Sequence, residues 1–177
     1  MFAITQLAQQ LGQQLSAHNA QVTTAESCTG GGIAEAITRI AGSSAWFEVG
    51  FVTYSNQQKT RVLQVTEADL QRDGAVSQSV VEGMARGAQR LSGAHYAVAV
   101  SGVAGPGGGS VEKPVGTVWL AWADGAQVQS GCWRFAGDRD AVRQQTVQSA
   151  LAGLLCLIEG QEAAAWPQWL NKHLPNQ

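Results

Sequence analysis

The run Thr23-Thr24-Ala25-Glu26-Ser27-Cys28-Thr29-Gly30-Gly31-Gly32 decides how the chain is read. Just upstream, residues 20–25 (AQVTTA) predict a short strand. Downstream, residues 29–41 predict a helix: Gly30 to Gly32 open it, Ile33, Ala34, Ile37 and Ile40 form its apolar face, and Gly42 stops it. A strand-to-helix junction presents backbone N–H groups that have no partner inside the helix, at the positive end of its dipole. A nucleophile placed there has oxyanion donors beside it. Ser27 and Cys28 both suit that role. Ser27 and Thr29 equally suit a helix cap, and Cys28 suits a small buried apolar side chain. Glu26 fits a ligand contact, an ion-pair partner or a solvated side chain. The run alone leaves these readings open.

Working outward, residues 4–17 carry Ile4, Leu7, Ala8, Leu11 and Leu15 on a helical stripe. Residues 46–54 (WFEVGFVTY) predict a strand, and Ser55 or Asn56 can cap a helix running through Lys59 and Leu63. Helices are expected over 66–72 and 78–91, the second capped by Ser77 or Ser79. Residues 95–101 (HYAVAVS) form a nearly continuous apolar run, the mark of a buried strand. Residues 115–123 and 127–135 predict a hairpin around Asp124-Gly125, and 138–159 a final helix capped by Asp138. Strands alternate with helices early, and a hairpin comes late. The order predicts a three-layer α/β/α sandwich with a mixed, mainly parallel central sheet. Residues 1–160 make one domain; the tail 161–177, with Trp166, Trp169 and two prolines, is left unplaced.

A serine hydroxyl needs a base to take its proton. The three histidines, His18, His95 and His173, accompany no motif, so a Ser-His-Asp triad is weakly supported. Lysine is scarce, with only Lys59, Lys113 and Lys172. Lys59 follows an apolar strand, five residues beyond Tyr54. Strand ends are where α/β proteins place chemistry, and burial can lower a lysine's pKa from about 10.4 towards neutrality. A Tyr packed at the sheet edge and a solvated Lys are the alternative. The pair is spaced one residue longer than the Tyr-x-x-x-Lys of short-chain reductases.

Ser101 to Ser110 (SGVAGPGGGS) follows a strand but contains neither a clean GxGxxG nor a GxxxxGK[ST], and a strand rather than a helix comes next. A dinucleotide fingerprint requires that helix, so no dinucleotide cofactor is expected. The loop, with Gly105, Gly107 and Gly108, still offers backbone N–H groups to a phosphate or carboxylate, or is simply a surface loop. Arg139, opening the last helix, can meet a phosphate or pair with Asp138 or Asp140.

The chain has 177 residues, enough to bury a core without a metal or disulfide staple. Net charge is −2 with no basic run, which argues against nucleic acid as a partner. No apolar run is long enough to span a membrane, and the N-terminus lacks the pattern of a signal peptide. Three scattered cysteines, Cys28, Cys132 and Cys156, fit neither a disulfide framework nor a structural zinc, so a reducing cytoplasm is expected. Charged residues are only 14%, which leads us to expect a homo-oligomer.

Five motifs, in order, carry a resemblance: TTAESCTGG, GSSAWFEVGFVTYSNQQK, GAVS, AVAVSGVAGPGGGSVEKPVGTVW and FAGDRDAVR. Over about residues 5–158 the chain resembles the CinA C-terminal domain family, whose stand-alone members are nicotinamide-nucleotide amidohydrolases. The resemblance implies hydrolysis of nicotinamide mononucleotide to nicotinate mononucleotide and ammonia, with no metal and no cofactor. It also implies a serine nucleophile working with lysine and tyrosine, at Ser27, Lys59 and Tyr54. Glu26, Cys28, Thr29, Gly30, Gly31, Gly105, Gly107, Gly108 and Arg139 are then the expected substrate contacts, with the amides near Cys28 to Gly31 as oxyanion donors.

Overall fold

The computed structural model describes residues 2–125 and 127–174. Five strands, β1 (Val22–Glu26), β2 (Gly50–Val52), β3 (Tyr96–Gly102), β4 (Thr117–Asp124) and β5 (Gln127–Arg134), form one sheet in the order β2-β1-β3-β4-β5. β1 pairs in parallel with both β2 and β3, while β4 is antiparallel to β3 and to β5. Only β4 therefore runs against the rest. The carboxyl ends of β1, β2, β3 and β5 share one rim with the start of β4.

Helices cover both faces. α1 (Phe2–Ala17), α2 (Gly32–Thr38), α6 (Arg139–Ile158) and α7 (Trp166–His173) form one layer. α3 (Asn56–Leu63), α4 (Glu67–Asp73) and α5 (Gln78–Ser92) form the other. Because successive strand side chains point to opposite faces, the two cores differ in kind. Val98, Val100, Val118, Leu120 and Trp122 pack towards the first layer. Ala25, Ala97, Ala99, Ala121 and Ala123 meet the second, where Val80, Val81 and Met84 of α5 fill the space. In α1, Leu7, Leu11 and Leu15 recur at every fourth position and are fully buried, each worth about 1.5–3 kcal/mol of hydrophobic stabilisation. α3 crosses α5 at Gly87, where an added Cβ would lie 2.1 Å from the Leu63 carbonyl oxygen. Only glycine permits that approach of the Leu63 carbonyl to α5.

Several boundaries move for physical reasons. The strand expected over 46–54 is confined to β2, because Ser43–Ala45 form a 3-10 turn and the Trp46 carbonyl accepts from Val22 N. The helix expected from residue 29 begins at Gly32, because the chain first turns twice through Gly30 (φ +61°) and Gly31 (φ +99°). Ser77 does not cap α5; its hydroxyl donates to the Gly74 carbonyl. Ser55 and Asp138 do cap α3 and α6, accepting from Gln58 N and Ala141 N. The tail folds back: Trp169 is buried and its Nε1 donates to Glu159, and Trp166 packs on Trp133 and Phe135. Among the described residues no helix is long and apolar enough to cross a membrane.

Candidate active site

Ser27 is the first residue past β1, and its N–H still donates to the Val100 carbonyl of β3. Its side chain is half-buried at the shared rim. The next corner, after β2, turns at Thr53 into α3. Lys59 sits there, only 1% exposed. Its Nζ lies 3.1 Å from Ser27 Oγ, 3.0 Å from the Thr53 carbonyl oxygen and 3.3 Å from that of Tyr54. No carboxylate pairs with it among the described residues. Burial without a counter-ion disfavours the ammonium and lowers the Lys59 pKa.

The three oxygens suit both protonation states. A neutral amine has two N–H groups and one lone pair. The two carbonyls accept the N–H groups, which leaves the lone pair for the Ser27 hydroxyl. An ammonium has three N–H groups and finds three acceptors. The Thr53 and Tyr54 carbonyls were invisible to sequence reasoning, since every residue type carries one.

Behind Ser27, Glu26 is fully buried. Its Oε2 accepts from Thr29 Oγ1 at 2.5 Å, Gly31 N at 3.1 Å and Ile33 N at 3.0 Å, and its Oε1 accepts from Ala34 N at 2.8 Å. Glu26 thus caps α2 with both carboxylate oxygens, and the Gly31 amide expected to face an oxyanion donates to it instead. Gly30 is engaged too, donating to the Ser27 carbonyl at 3.0 Å. Thr29 is 1% exposed, and its main-chain N–H makes no hydrogen bond among the described residues. A buried, unpartnered amide is uncommon, and this one is two residues from the hydroxyl. The Thr29 carbonyl accepts from Arg143 Nη2 at 2.9 Å, a contact the sequence did not suggest.

Cys28 turns into the core. Burial, reinforced by the Glu26 charge, pushes its thiol up to about 12, so a thiolate nucleophile is disfavoured there.

Tyr54 is 60% exposed. Its phenol oxygen accepts from Arg139 Nη2 at 3.0 Å, and Arg139 Nη1 donates to the Gly105 carbonyl at 2.9 Å. No hydrogen bond joins the phenol to Ser27 or Lys59. Tyr54 thus supplies Lys59 with a carbonyl, while its ring joins Arg139 and Gly105 at the rim. Gly107 and Gly108 lie on the exposed part of the same loop. That loop is tied down by Lys113, whose Nζ donates to the Asp73 carbonyl at 2.6 Å. Among the described residues no cluster of three or more His, Cys, Asp or Glu is arranged to hold a metal ion.

Sheet topology and side-chain geometry together define a three-layer α/β protein with a hydroxyl–amine pair at the carboxyl ends of its parallel strands. Comparison with known proteins gives that class a family. The CinA C-terminal domain matches residues 4–158, and the chain belongs to that family. It is 69% identical over 157 residues to a Pseudomonas putida protein named nicotinamide-nucleotide amidohydrolase PncC, covering 89% of this chain and 98% of that one. The Escherichia coli K12 protein of the same name is 56% identical over 154 residues, covering 85% and 92%. Among solved structures, the competence/damage inducible protein CihA from Agrobacterium tumefaciens superposes with a TM-score of 0.86 at 46% identity, covering 88% of this chain and 95% of that one. A CinA superfamily protein from Klebsiella pneumoniae superposes with a TM-score of 0.84 at 38% identity, covering 94% and 99%.

Proposed function

We propose that the chain is a nicotinamide-nucleotide amidohydrolase that converts nicotinamide mononucleotide and water to nicotinate mononucleotide and ammonia, with Ser27 as nucleophile and Lys59 as base. The observation that carries the mechanism is the 3.1 Å approach of a buried lysine, without a counter-ion, to Ser27 Oγ. The names of the relatives supply the substrate.

The Ser27 proton passes to the Lys59 lone pair as Oγ bonds to the carboxamide carbon. Charge develops on the carboxamide oxygen, where the Thr29 N–H is an available donor beside that of Cys28, which also makes no main-chain hydrogen bond among the described residues; losing one such donor typically costs about 3–4 kcal/mol in the barrier. The C–N bond breaks, and the Lys59 ammonium gives its proton to the leaving amine, which departs as ammonia. Water then attacks the ester on Ser27, delivering a proton through Lys59 back to Oγ. Tyr54 is outside this route, and the transfer is direct. At the outer end, Arg139 uses two of its five N–H groups on Gly105 and Tyr54. The remainder, with the Gly105, Gly107 and Gly108 loop, receive the 5′-phosphate. The same reading has the protein acting in the cytoplasm as a homo-oligomer, consistent with its unpaired cysteines and with exposed Val52 in the edge strand β2 and Val49 just before it.

The test is ammonia release by purified protein. Ser27→Ala should abolish turnover of nicotinamide mononucleotide while the fold and substrate binding persist. Near wild-type turnover in that variant refutes the assignment.

A further inference from the structure

A fully buried carboxylate is costly unless hydrogen-bond donors surround it. Glu26 has four hydrogen-bond partners, and all four are donors. They come from three successive parts of one segment: the Thr29 hydroxyl in the turn, the Gly31 amide at the helix cap, and the Ile33 and Ala34 amides inside α2. At its other end Glu26 is held in the sheet, paired with Val52 of β2 and Val100 of β3. Its main-chain carbonyl accepts from Thr53 N, the residue whose own carbonyl accepts from Lys59 Nζ. One residue therefore fixes both sides of the reacting pair. Its backbone sets the corner that presents Lys59, and its side chain winds residues 27–31 so that the amides of Gly31, Ile33 and Ala34 are spoken for and that of Thr29 is not.

We propose that Glu26 is a positioning residue for the reaction, whose carboxylate folds the Ser27–Gly31 turn into the shape that aims Ser27 Oγ at Lys59 and leaves the Thr29 amide free for the oxyanion. The proposal rests on the serine–lysine reading above and deepens it. It separates Glu26 from a plain helix cap, because a cap stabilises α2 without changing the rate of the folded protein.

The test uses two readouts on the full chain. The first is steady-state ammonia release from nicotinamide mononucleotide. The second is the rate at which a fluorophosphonate labels Ser27, followed by mass spectrometry. In that reaction Oγ bonds to phosphorus, fluoride leaves and the hydroxyl proton passes to Lys59, so it reads the nucleophile and its oxyanion donors without the amide substrate. Glu26→Gln keeps the shape but sets an NH2 against amide donors. It should lower kcat about 10–100-fold, as small misplacements at a reacting centre do, leave KM within about threefold, and slow labelling in proportion. Rates within twofold of wild type in both readouts overturn the proposal. A raised KM with unchanged labelling also overturns it, by making Glu26 a substrate contact. If Glu26→Gln does not fold by circular dichroism, Thr29→Val decides. It removes one donor to the carboxylate while keeping a β-branched shape, and should lower kcat and labelling about 3–10-fold at unchanged KM; wild-type rates there overturn the proposal. A wild-type protein that is labelled at Ser27 but releases no ammonia would sink the substrate reading, while slowed labelling in Glu26→Gln would still uphold the positioning role.

Discussion

Glu26 and Lys59 are both ionisable, both buried to within 1% of completely, and both lie within a few residues of a neighbouring strand end. They are solvated in opposite ways. Glu26 is surrounded by four donors, three of them amides at the positive end of a helix, a setting that favours negative charge. Lys59 meets two peptide carbonyls and a hydroxyl, with no opposite charge. The protein environment completes the anion and leaves the cation short. Burial alone makes neither a base nor a cap; the partners decide which.

The most severe way to break this contrast is to remove the amine. Lys59→Met should reduce kcat by about 10³-fold, the range for loss of a positioned base, and yet raise the melting temperature by a few degrees. The sign follows from the lowered Lys59 pKa. Below the folded pKa both states carry the proton, and the folded protein bears the full penalty of a buried charge. As pH rises from the lowered folded pKa towards about 10.4, the unfolded chain holds more protons, so wild-type stability climbs and the penalty disappears. The Tm advantage of Lys59→Met should therefore be largest at pH 6 and shrink by pH 10, as calorimetry across that range can show. Activity should follow the same titration, with kcat/KM rising with pH as Lys59 becomes neutral, at a midpoint below the usual lysine range. A rate that falls over that interval removes Lys59 as the base.

The mirror-image experiment is thermal melting of Glu26→Gln. It should be less stable by about 1–3 kcal/mol for the donors left without a full acceptor, a Tm loss of roughly 3–10 °C in a protein of this size. Opposite Tm shifts from neutralising two neighbouring buried groups would sharpen the contrast; shifts of the same sign would break it. Arg139→Gln lies farther out. It should raise KM for nicotinamide mononucleotide about tenfold through loss of a charged hydrogen bond and leave kcat nearly intact. Tyr54→Phe removes only the phenol that accepts from Arg139 and should raise KM no more than about threefold. A large kcat loss in that variant restores the phenol to the proton route.

The fold was legible because it rests on patterns that residue types carry. Leu7, Leu11 and Leu15 mark α1 by their spacing, and the apolar run ending at Ser101 marks β3. Lys59 stood out through the scarcity of lysine and its place after a strand. What escaped was whatever depends on main-chain atoms or on distance across the chain. Two carbonyls hold Lys59, and a peptide oxygen has no signature in sequence. Glu26 caps α2 from six residues before its first residue, Gly32, outside the local spacing by which caps are recognised. In sequence Tyr54 is distinguished by its phenol, whereas its carbonyl is the atom that meets Lys59. Arg143 reaches Thr29 across 114 positions of sequence, a contact made only by tertiary packing.

The single reversed strand, β4, has a consequence for handling the molecule. By turning the sheet back once, it gathers Ser27, Lys59, the 103–116 loop and Arg139 at one rim, and leaves the corner at Gly93 to His95, exposed at both ends, on the far side. A fluorophore or a solid support attached at that corner would sit at the opposite end of the sheet from Ser27 and Lys59.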